Sequence, residues 1–593
     1  MVKIDIMRLR LSLIGILFSI SVTAQELIVN DWTKYFYESS SISLLNPFSL
    51  VLDSEGNCYV GISANQDIVV DSTIISGIES DNFGVILKFN SEGELLWDIK
   101  YYDILSIGYG GVTLYELQID NDDNLIVAGV ARGAMISQGY YYIDATEPGY
   151  KGFIHKINPE GENIVFEDFD SIYVYDLAIG PNNEISGLAK HTGTSDNFFG
   201  ELITSKQIVF NCDDSLQINF LLQQNIPDNG QYVYSSSKPV LSKIVANQEG
   251  EIFVSYNYNG TLELNGNTYS SYEYYTVSID SYMVDEDSFE VIIDTTWVRT
   301  PDAIVVKYDA NGNEMWHYTF AGFNTQVFSE LTLNDDGNAF LIGMAFEGDT
   351  VYLQDNQDTI IIPSYPQFYW NPYLILELDT DGGLVNSTFL TDTIYYDNEL
   401  LATGDDLYVP GKLNYIGGDV NGAALGRYDT DFNLKQFGQA TCAYSSPCDV
   451  NSHIALLAVH DSSIFVVGSI YENAVWGDDT LTHSNDIFFL SKLPYDFSET
   501  YIEPENEIEI VEYTDTHIFP IPASNELHIN LPEVDLELPF CMITNSLGQQ
   551  WTFIPEKLNV NNWVVDIHQL RRGVYFITYI TNHKINTHTF VKM

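Results

Sequence analysis

The chain has 593 residues, of which 83 are acidic and 24 basic, so its formal net charge is −59. This charge disfavours nucleic acid and anionic membrane surfaces as partners, because both are bound through Lys and Arg side chains. The length exceeds what one hydrophobic core serves, so two or more domains are expected. An aromatic content of 13%, with 40 Tyr, and little helical periodicity predict an all-β protein.

The N-terminus has the pattern of a secretory signal peptide at residues 1–24. Lys3, Arg8 and Arg10 precede an apolar run at 11–22, and small residues follow, so cleavage is expected after Ala24. An uncleaved anchor is the alternative, but the apolar run is shorter than the roughly 20 residues that span a bilayer. Because no later segment is long and apolar enough to span, we predict an exported protein without a transmembrane segment.

Two strand–turn–strand units alternate along residues 25–502. One is typified by "AIVVKYDANGNEMWHYTF" at 303–320 and the other by "LTLNDDGNAFLIG" at 331–343. Apolar β-branched runs on either side of an Asp/Asn/Gly turn predict a β-hairpin in each. One copy of each unit makes a four-stranded antiparallel sheet, and seven copies predict a seven-bladed β-propeller. A long solenoid and several separate sandwiches are the alternatives.

The two ends of the repeat region have complementary defects. "DWTKYFYE" at 31–38 resembles the outgoing strands of the hairpins, yet no incoming strand precedes it. The last repeat, which includes residues 487–493, lacks its outgoing strand. We therefore predict that the N-terminal strand completes the seventh sheet and closes the ring without an open edge.

Aromatic residues cluster in the insertions of the fourth and fifth repeats, at 256–302 and in "PSYPQFYWNPY". Clustered aromatics on loops anchor glycans or proteins, so these insertions are candidates for a binding surface. The alternative is that they pack the insertions onto the propeller rim. The acidic field of the protein favours a neutral or cationic ligand over a polyanion. The candidate ligand-binding residues are Tyr272, Tyr274, Tyr275, Tyr365, Phe368, Tyr369 and Trp370.

Several turns are rich in Asp and Asn, for example "DNDDN" at 120–124 and "DANGN" at 309–313. No turn supplies the full ligand set of an EF-type calcium loop, and ordinary β-turns explain the composition better. The sequence therefore predicts no metal or other cofactor, with Ca²⁺ at an Asp-rich turn as the lesser alternative.

The five cysteines fit an exported protein. Cys442 and Cys448 flank a turn-forming stretch and are predicted to form a disulfide. The other three, Cys58, Cys212 and Cys541, are interpreted as small buried hydrophobic residues.

Motifs of the common catalytic sites are missing from the sequence: there is no HExxH, no GxSxG and no glycine-rich phosphate loop. The carboxylates are too numerous to nominate a glycosidase pair from the sequence. The leading interpretation is a non-enzymatic propeller that binds a glycan or a protein. An extracellular propeller enzyme acting on polysaccharide is the alternative.

An acidic linker at 503–512 precedes a second domain at 513–593, where short strands and turns predict a small β-sandwich. This domain contains "FPIPASNELHI", "NSLGQ", "LRRGVYFI" and a final "FVKM". These segments resemble the C-terminal sorting domain (type A) of the type IX secretion system of Gram-negative bacteria, with Ile521 in place of the usual Asn. The residues that carry the resemblance are Pro520, Pro522, Leu547, Gly548, Gln549, Gly573, Tyr575 and Lys592.

The propeller units look like a bacterial β-propeller repeat that often precedes such a domain. The two resemblances together imply a secreted bacterial β-propeller-repeat protein. They also imply passage through the periplasm and across the outer membrane by the type IX secretion machinery. Removal of the sorting domain would follow, with release or attachment to surface lipopolysaccharide. The expected location is therefore outside the cell or on its outer surface, and the ligand remains open.

Overall fold

The structure is a computed structural model that divides into two compact units, Met1–Tyr501 and Ile502–Met593. The signal peptide and acidic linker predicted at 1–24 and 503–512 lie outside the described residues. The described residues are 26–28, 30–38, 45–71, 73–75, 82–103, 111–138, 140–143, 150–193, 196–203, 207–224, 243–258, 261–264, 266–270, 273–285, 288–299, 302–322, 327–344, 350–353, 358–361, 373–390, 394–396, 399–414, 421–439, 441–442, 453–470, 474–476, 479–480, 487–495, 498–500, 517–519, 526–530, 541–545, 550–553, 555–557, 562–581 and 584–592.

Every regular element within these ranges is a β-strand, which confirms the all-β prediction. No helix among them is long and apolar enough to cross a membrane.

The first unit is a seven-bladed β-propeller, as predicted, and each blade has a core of antiparallel strands. The first strand of each blade contacts the first strand of the next, and blade 7 contacts blade 1, so these strands form a closed inner ring. From the inner to the outer strand, blades 1 to 4 consist of Asn46–Leu52, Cys58–Ala64, Phe83–Phe89 and Leu95–Asp103; Gly111–Ile119, Leu125–Arg132, Tyr150–Ile157 and Asn163–Asp170; Ile172–Ile179, Ile185–His191, Gln207–Cys212 and Ile218–Gln224; and Lys243–Ala246, Ile252–Tyr258, Asp302–Tyr308 and Glu314–Gly322.

Blades 5 to 7 follow the same order. They consist of Val327–Leu333, Ala339–Met344, Tyr373–Leu378 and Leu384–Leu390; Leu401–Thr403, Asp406–Asn414, Asn421–Asp429 and Leu434–Gln439; and His453–His460, Ser463–Ile470, Ile487–Pro494 and Trp32–Glu38.

The hydrophobic core lies between neighbouring blades, and the third strand of blade 4 shows why its strands are apolar on both faces. Val305 packs into a cluster with residues of blade 5, whereas Ile304 and Val306 pack into a cluster with residues of blade 3. All three side chains are fully buried. Because burying one such side chain contributes about 1.5–3 kcal/mol, a continuous β-branched run stabilises both interfaces of the blade.

The N-terminal strand closes the ring, which confirms the prediction made for residues 31–38. Trp32 pairs with Lys492 and Phe36 with Phe488, so Trp32–Glu38 is the outer strand of blade 7. A second N-terminal strand, Glu26–Ile28, pairs with Ser498–Thr500 and lies parallel to the outer strand of blade 6. Both ends of the propeller sequence are therefore held in its sheets.

Hairpins inserted between the second and third strands of a repeat extend the outer edge of the preceding blade. This covers the backbone donors and acceptors that an edge strand would leave exposed. The hairpins that do so are Ile68–Val70 with Thr73–Ile75 on blade 7, Met135–Ser137 with Tyr140–Ile143 on blade 1, and Thr350–Leu353 with Asp358–Ile361 on blade 4.

The remaining short strands pair outside the four-stranded blade cores. Separate hairpins are Asp196–Phe198 with Glu201–Ile203, Thr261–Leu264 with Asn267–Ser270, and Glu273–Asp285 with Ser288–Arg299. Ile394–Tyr396 pairs with the second strand of blade 6, and Thr441–Cys442, Ala474–Trp476 and Asp479–Thr480 form a three-stranded sheet.

The second unit contains two four-stranded antiparallel sheets that share one hydrophobic cluster. Leu527 and Val565 of one sheet and Ile543 and Ile577 of the other belong to this cluster and are fully buried. The stacking expected of the predicted β-sandwich stays a prediction. In sheet order the strands are His517–Phe519, Glu526–Asn530, Asn562–Asp566 and Glu556–Lys557, and Gln550–Phe553, Cys541–Asn545, Gly573–Thr581 and Lys584–Lys592.

Candidate functional site

The two ends of the propeller are built differently. Because successive strands of a blade are antiparallel, the first-to-second and third-to-fourth turns all lie at one end, which we call the turn end. The second-to-third connections and the crossings between blades lie at the opposite end, which we call the loop end. The tight Asp/Asn/Gly turns are therefore at the turn end, and the long insertions start from the loop end.

The Asp side chains of the turns hydrogen-bond their own backbone. Asp309 Oδ1 accepts from the backbone N–H groups of Asn311 at 2.9 Å and Asn313 at 2.8 Å. Hydrogen bonds, first of all from the Asn313 side chain, lower the pKa of Asp309. This confirms the β-turn interpretation. The absence of a cofactor stays a prediction, with calcium at an Asp-rich turn as the alternative; within the described ranges no three His, Cys, Asp or Glu side chains are grouped to hold a metal ion.

The turn end also holds the blades together through a recurring contact that we call the Lys–Trp latch. A Lys of the third strand and a Trp of the fourth strand both donate to one backbone carbonyl in a turn of the next blade. In the described part of the chain the latches are Lys88 Nζ and Trp97 Nε1 with Pro159 O (both 3.1 Å), Lys307 Nζ and Trp316 Nε1 with Thr380 O (3.1 and 2.9 Å), and Lys492 Nζ and Trp32 Nε1 with Ser91 O (3.2 and 3.0 Å).

Seven residues, one from each blade, stand at equivalent positions in the inner strand or just before it and form what we call the axial ring. In blades 1, 2, 3, 5 and 7 a β-bulge immediately precedes this position. A bulge changes the direction of the side chains that follow it, so its repetition indicates that the orientation of these ring side chains is a regular feature of the propeller. The ring residues are Ser49, Glu116, Asp176, Lys243, Glu330, Glu399 and Leu456.

Some ring side chains join one blade to the next. Ser49 Oγ accepts a hydrogen bond from Leu117 N–H at 3.2 Å, and Asp176 Oδ2 accepts from Ile244 N–H at 2.8 Å. The Glu399 carboxyl group likewise accepts from the backbone of Leu457. In each case the donor follows the ring position of the next blade. These acceptors satisfy edge N–H groups of the inner strands, which is a structural role.

The charged ring residues also act on one another across several blades. Lys243 Nζ lies 3.4 Å from Glu330 Oε1. The Lys243 side chain keeps 32% of its surface accessible, but protein atoms around it still desolvate the charged amine. Burial alone would lower the pKa of Lys243, but four ring carboxyl groups outweigh burial and raise it well above its usual range. Because these carboxyl groups belong to blades 2, 3, 5 and 6, the charged side chains converge on the propeller axis.

Glu399 has a strongly perturbed carboxyl group. Burial first, and then the neighbouring carboxyl group of Glu330, raise the pKa of Glu399 well above its usual range, although Lys243 opposes this shift. A protonated carboxylic acid beside ionised carboxylates is an arrangement that active sites use, and structural charge networks produce it too.

Sequence reasoning missed the axial ring, although the sequence contains a signal for it. The ring residue always stands immediately before the apolar start of the second repeat unit, as Glu330 does before "LTLNDDGNAFLIG". A charged residue that recurs directly before this apolar start is the sequence feature that identifies the axial ring.

The candidate ligand-binding residues lie largely outside the described part of the chain. This holds for Tyr272, Tyr365, Phe368, Tyr369 and Trp370. Tyr274 and Tyr275 belong by their backbone to the hairpin of the fourth repeat, opposite Val298 and Trp297. Their ligand-binding role stays a prediction.

The cysteine predictions have two outcomes. Cys58, Cys212 and Cys541 are buried free thiols, as predicted, and burial raises the pKa of Cys212 and of Cys541 to about 12. Cys442 lies in a short strand, and Cys448 lies outside the described residues, so their disulfide stays a prediction.

Three of the residues assigned to the sorting motif are described. Gly573 pairs with Lys592, which is buried, and Tyr575 donates its hydroxyl hydrogen to Arg571 O at 2.9 Å. Their sorting role stays a prediction. The other motif residues, Pro520, Pro522, Leu547, Gly548 and Gln549, lie outside the described ranges.

Residues 517–593 match the family model of the secretion system C-terminal sorting domain. This match supports the sorting domain that the sequence predicts, and it indicates export to the cell surface or secretion. No curated protein sequence matches the chain.

Several solved structures are similar to the chain at low sequence identity. One is a polysaccharide lyase, an ulvan lyase, with 10% identity over 78% of this chain and 96% of the other and a TM-score of 0.36. Another is the β-propeller domain of the trilobed protease from Pyrococcus furiosus, with 9% identity over 76% and 93% and a TM-score of 0.31. A third is a luciferin-regenerating enzyme, with 10% identity over 67% and 98% and a TM-score of 0.27. Similarity at this level transfers no activity to the chain.

Proposed function

Since the chain carries a secretion system C-terminal sorting domain and a seven-bladed propeller, we propose that it is an exported, non-enzymatic binding protein for a glycan or a protein. The observation that supports this is the contrast between the two ends of the propeller. Backbone turns and Lys–Trp latches occupy the turn end, whereas the long connections leave from the loop end. We assign ligand binding to the loop end.

The aromatic residues of the fifth repeat are the proposed anchors. Residues 362–372 lead into Tyr373–Leu378, the third strand of blade 5, which begins at the loop end. Tyr369 and Trp370 supply large apolar surface together with a polar edge, and such side chains carry most of the binding energy at protein interfaces.

The test is binding of glycans and of extracellular proteins by the full mature chain, combined with an assay for product formation. Replacement of Tyr369 and Trp370 by Ala should weaken binding of the identified ligand by about 2 kcal/mol or more. Tyr140→Ala is the matched control, because Tyr140 is 68% exposed on a hairpin that covers the edge of blade 1. Equal affinity of the double variant and the control would place the site elsewhere, and product formation would argue against a pure binding role.

A second candidate function is hydrolysis of an extracellular polysaccharide in the axial ring. It is favoured by the raised pKa of Glu399 beside Glu330, because glycosidases pair a protonated carboxylic acid with an ionised carboxylate. Glu399 would then be the general acid. If the chain releases sugar from a polysaccharide and Glu399→Gln abolishes the release, this candidate replaces the first; turnover that survives the substitution excludes Glu399.

A further inference from the structure

A cluster of aromatic and basic side chains lies at the loop end between blades 2 and 3. Arg132 ends the second strand of blade 2, and its cross-strand partner Tyr150 begins the third. The Arg132 guanidinium lies 5.2 Å from the centroid of the Tyr150 ring. Tyr173, near the start of the inner strand of blade 3, meets Tyr150 edge to face, with ring centroids 5.6 Å apart and an interplanar angle of 89°.

Backbone contacts between the two blades fix this arrangement. Ser171 N–H donates to Tyr150 O at 2.9 Å. At Gly152 a Cβ atom would stand 1.8 Å from the Ile172 carbonyl oxygen, so only glycine allows blades 2 and 3 to approach this closely. These contacts fix the spacing of the two backbones that carry Tyr150 and Tyr173, and the edge-to-face contact orders their rings, which lowers the entropic cost of binding.

A third tyrosine extends the cluster towards the propeller axis. Tyr115 immediately precedes Glu116 of the axial ring. Burial, followed by the proximity of Tyr173 and Tyr150, raises the pKa of Tyr115 to about 12. The three tyrosines thus offer hydroxyl groups, which can donate and accept hydrogen bonds, from the loop end of blade 2 and from the inner strands of blades 2 and 3. Tyr150 itself is 45% exposed, so a ligand can reach its ring.

The charges around the cluster select against ionic ligands of either sign. The net charge of −59 repels polyanions. A cationic ligand is disfavoured at the ring itself, because the Arg132 guanidinium already occupies the cation–π position on Tyr150. Nearby Lys151 is paired with Asp168 at 2.8 Å and Asp170 at 3.0 Å, so it adds little positive field.

We propose that Tyr115, Arg132, Tyr150 and Tyr173, which we call the Tyr150 cluster, form a subsite for a neutral polysaccharide. The C–H face of a pyranose ring packs on the exposed part of Tyr150, while Arg132 and the tyrosine hydroxyls hydrogen-bond to sugar hydroxyl groups. This inference rests on the proposed binding function and narrows its ligand to an uncharged glycan, recognised by residues that the aromatic insertions do not include.

The test is isothermal titration of the full mature chain with neutral hexose oligosaccharides and with uronate oligosaccharides of equal length. We expect binding of a neutral oligosaccharide, a loss of affinity of tenfold or more in Tyr150→Ala/Tyr173→Ala, and weaker binding of the uronates. Tyr150→Phe/Tyr173→Phe keeps the rings and removes the hydroxyls, so it should lose less affinity than the Ala pair. Melting curves of both double variants confirm folding.

The possible results separate this inference from the proposed function. Unchanged affinity of the folded Ala pair for a bound glycan overturns the Tyr150 cluster and leaves the binding function intact. Preference for uronates, or binding of a protein and no glycan, also overturns the neutral-glycan assignment alone. Hydrolysis of the oligosaccharides, or binding of no ligand of either class, overturns both.

Discussion

Glu399 of the axial ring combines a structural hydrogen bond with a strongly perturbed carboxyl group. Its carboxyl group accepts a backbone hydrogen bond from blade 7, yet burial and Glu330 raise its pKa well above the usual range. A group whose pKa is raised in the folded state contributes stability at low pH, and that contribution is lost as the pH rises from its unfolded pKa through its folded pKa. We therefore expect the raised pKa of Glu399 to lower the stability of the propeller at neutral pH relative to low pH.

The first prediction follows from this sign. Glu399→Gln keeps a hydrogen-bond acceptor for the Leu457 N–H and removes the titrating carboxyl group. The stability of the variant should therefore rise relative to that of the parent as the pH rises from 5 to 8. We expect its melting temperature to exceed that of the parent by about 2 °C at pH 8 and to converge with it near pH 5. Differential scanning calorimetry measures the two profiles. Glu249→Gln, at an exposed turn of blade 4, should follow the parent throughout, and a parallel course of the Glu399→Gln profile would refute the assignment.

At the scale of the strands, the Lys–Trp latch ties the third and fourth strands of blades 1, 4 and 7 to a turn of the next blade. In the latch of blade 4, Lys307 is buried, pairs with Glu251 at 2.6 Å, and shares the Thr380 carbonyl with Trp316. At the same turn Gly382 has a φ of +83°, and a Cβ there would meet the Trp316 ring at 2.7 Å. The turn glycine of one blade and the Trp of the preceding blade therefore form a single inter-blade contact.

A double-mutant cycle tests whether the latch acts as a unit. Trp316→Phe should cost about 1 kcal/mol of unfolding free energy through the lost hydrogen bond. Lys307→Met should cost about 3–5 kcal/mol, because it leaves Glu251 without this partner. The two effects should deviate from additivity by about 0.5–3 kcal/mol, since both side chains donate to one carbonyl. Urea denaturation gives the free energies.

The control cycle combines Lys307→Met with Trp97→Phe, which belongs to the latch between blades 1 and 2. These two changes should add within about 0.5 kcal/mol. Coupling of equal size in both cycles would show that the propeller responds globally and that the shared carbonyl is not the cause.

The strand-level contacts also show what the sequence carries and what it omits. The position of Trp32 was predictable, because its strand repeats the letters of the outgoing strands and the seventh repeat lacks one. The recurring position of the axial ring is visible in the sequence, but its chemistry was not predictable, because the residue type changes from Ser49 through Lys243 to Leu456 and the side chains meet only when the inner strands converge. The pairing of three insertion hairpins with the outer strand of the preceding blade was not predicted, because this sideways pairing leaves no local pattern in the sequence.

For the whole molecule, N-terminal strands close the circle of seven blades. Blade 7 receives its outer strand from Trp32–Glu38, and the last propeller strand, Ser498–Thr500, pairs with Glu26–Ile28. Every strand that seals the ring thus lies within the first compact unit, which ends at Tyr501. Among the described residues the sorting domain contributes no strand to any blade. We therefore predict that folding of the propeller and export of the chain depend on different parts of the sequence.

The last prediction separates these two dependences. Deletion of residues 513–593 removes the sorting-domain match at 517–593 and leaves the closing strands intact. The truncated protein should therefore fold but accumulate in the periplasm, because the sorting domain for crossing the outer membrane is lost while the predicted signal peptide remains. Cell fractionation should find it with periplasmic markers, and limited proteolysis of that fraction should leave a stable propeller fragment.

A second deletion, of residues 30–38 from the full chain, should give the converse result. The sorting domain is present, but blade 7 lacks its outer strand and the propeller is cut readily by protease. Recovery of the first variant outside the cell would show that export does not require the sorting domain, and resistance of the second to protease would show that closure by Trp32–Glu38 is dispensable.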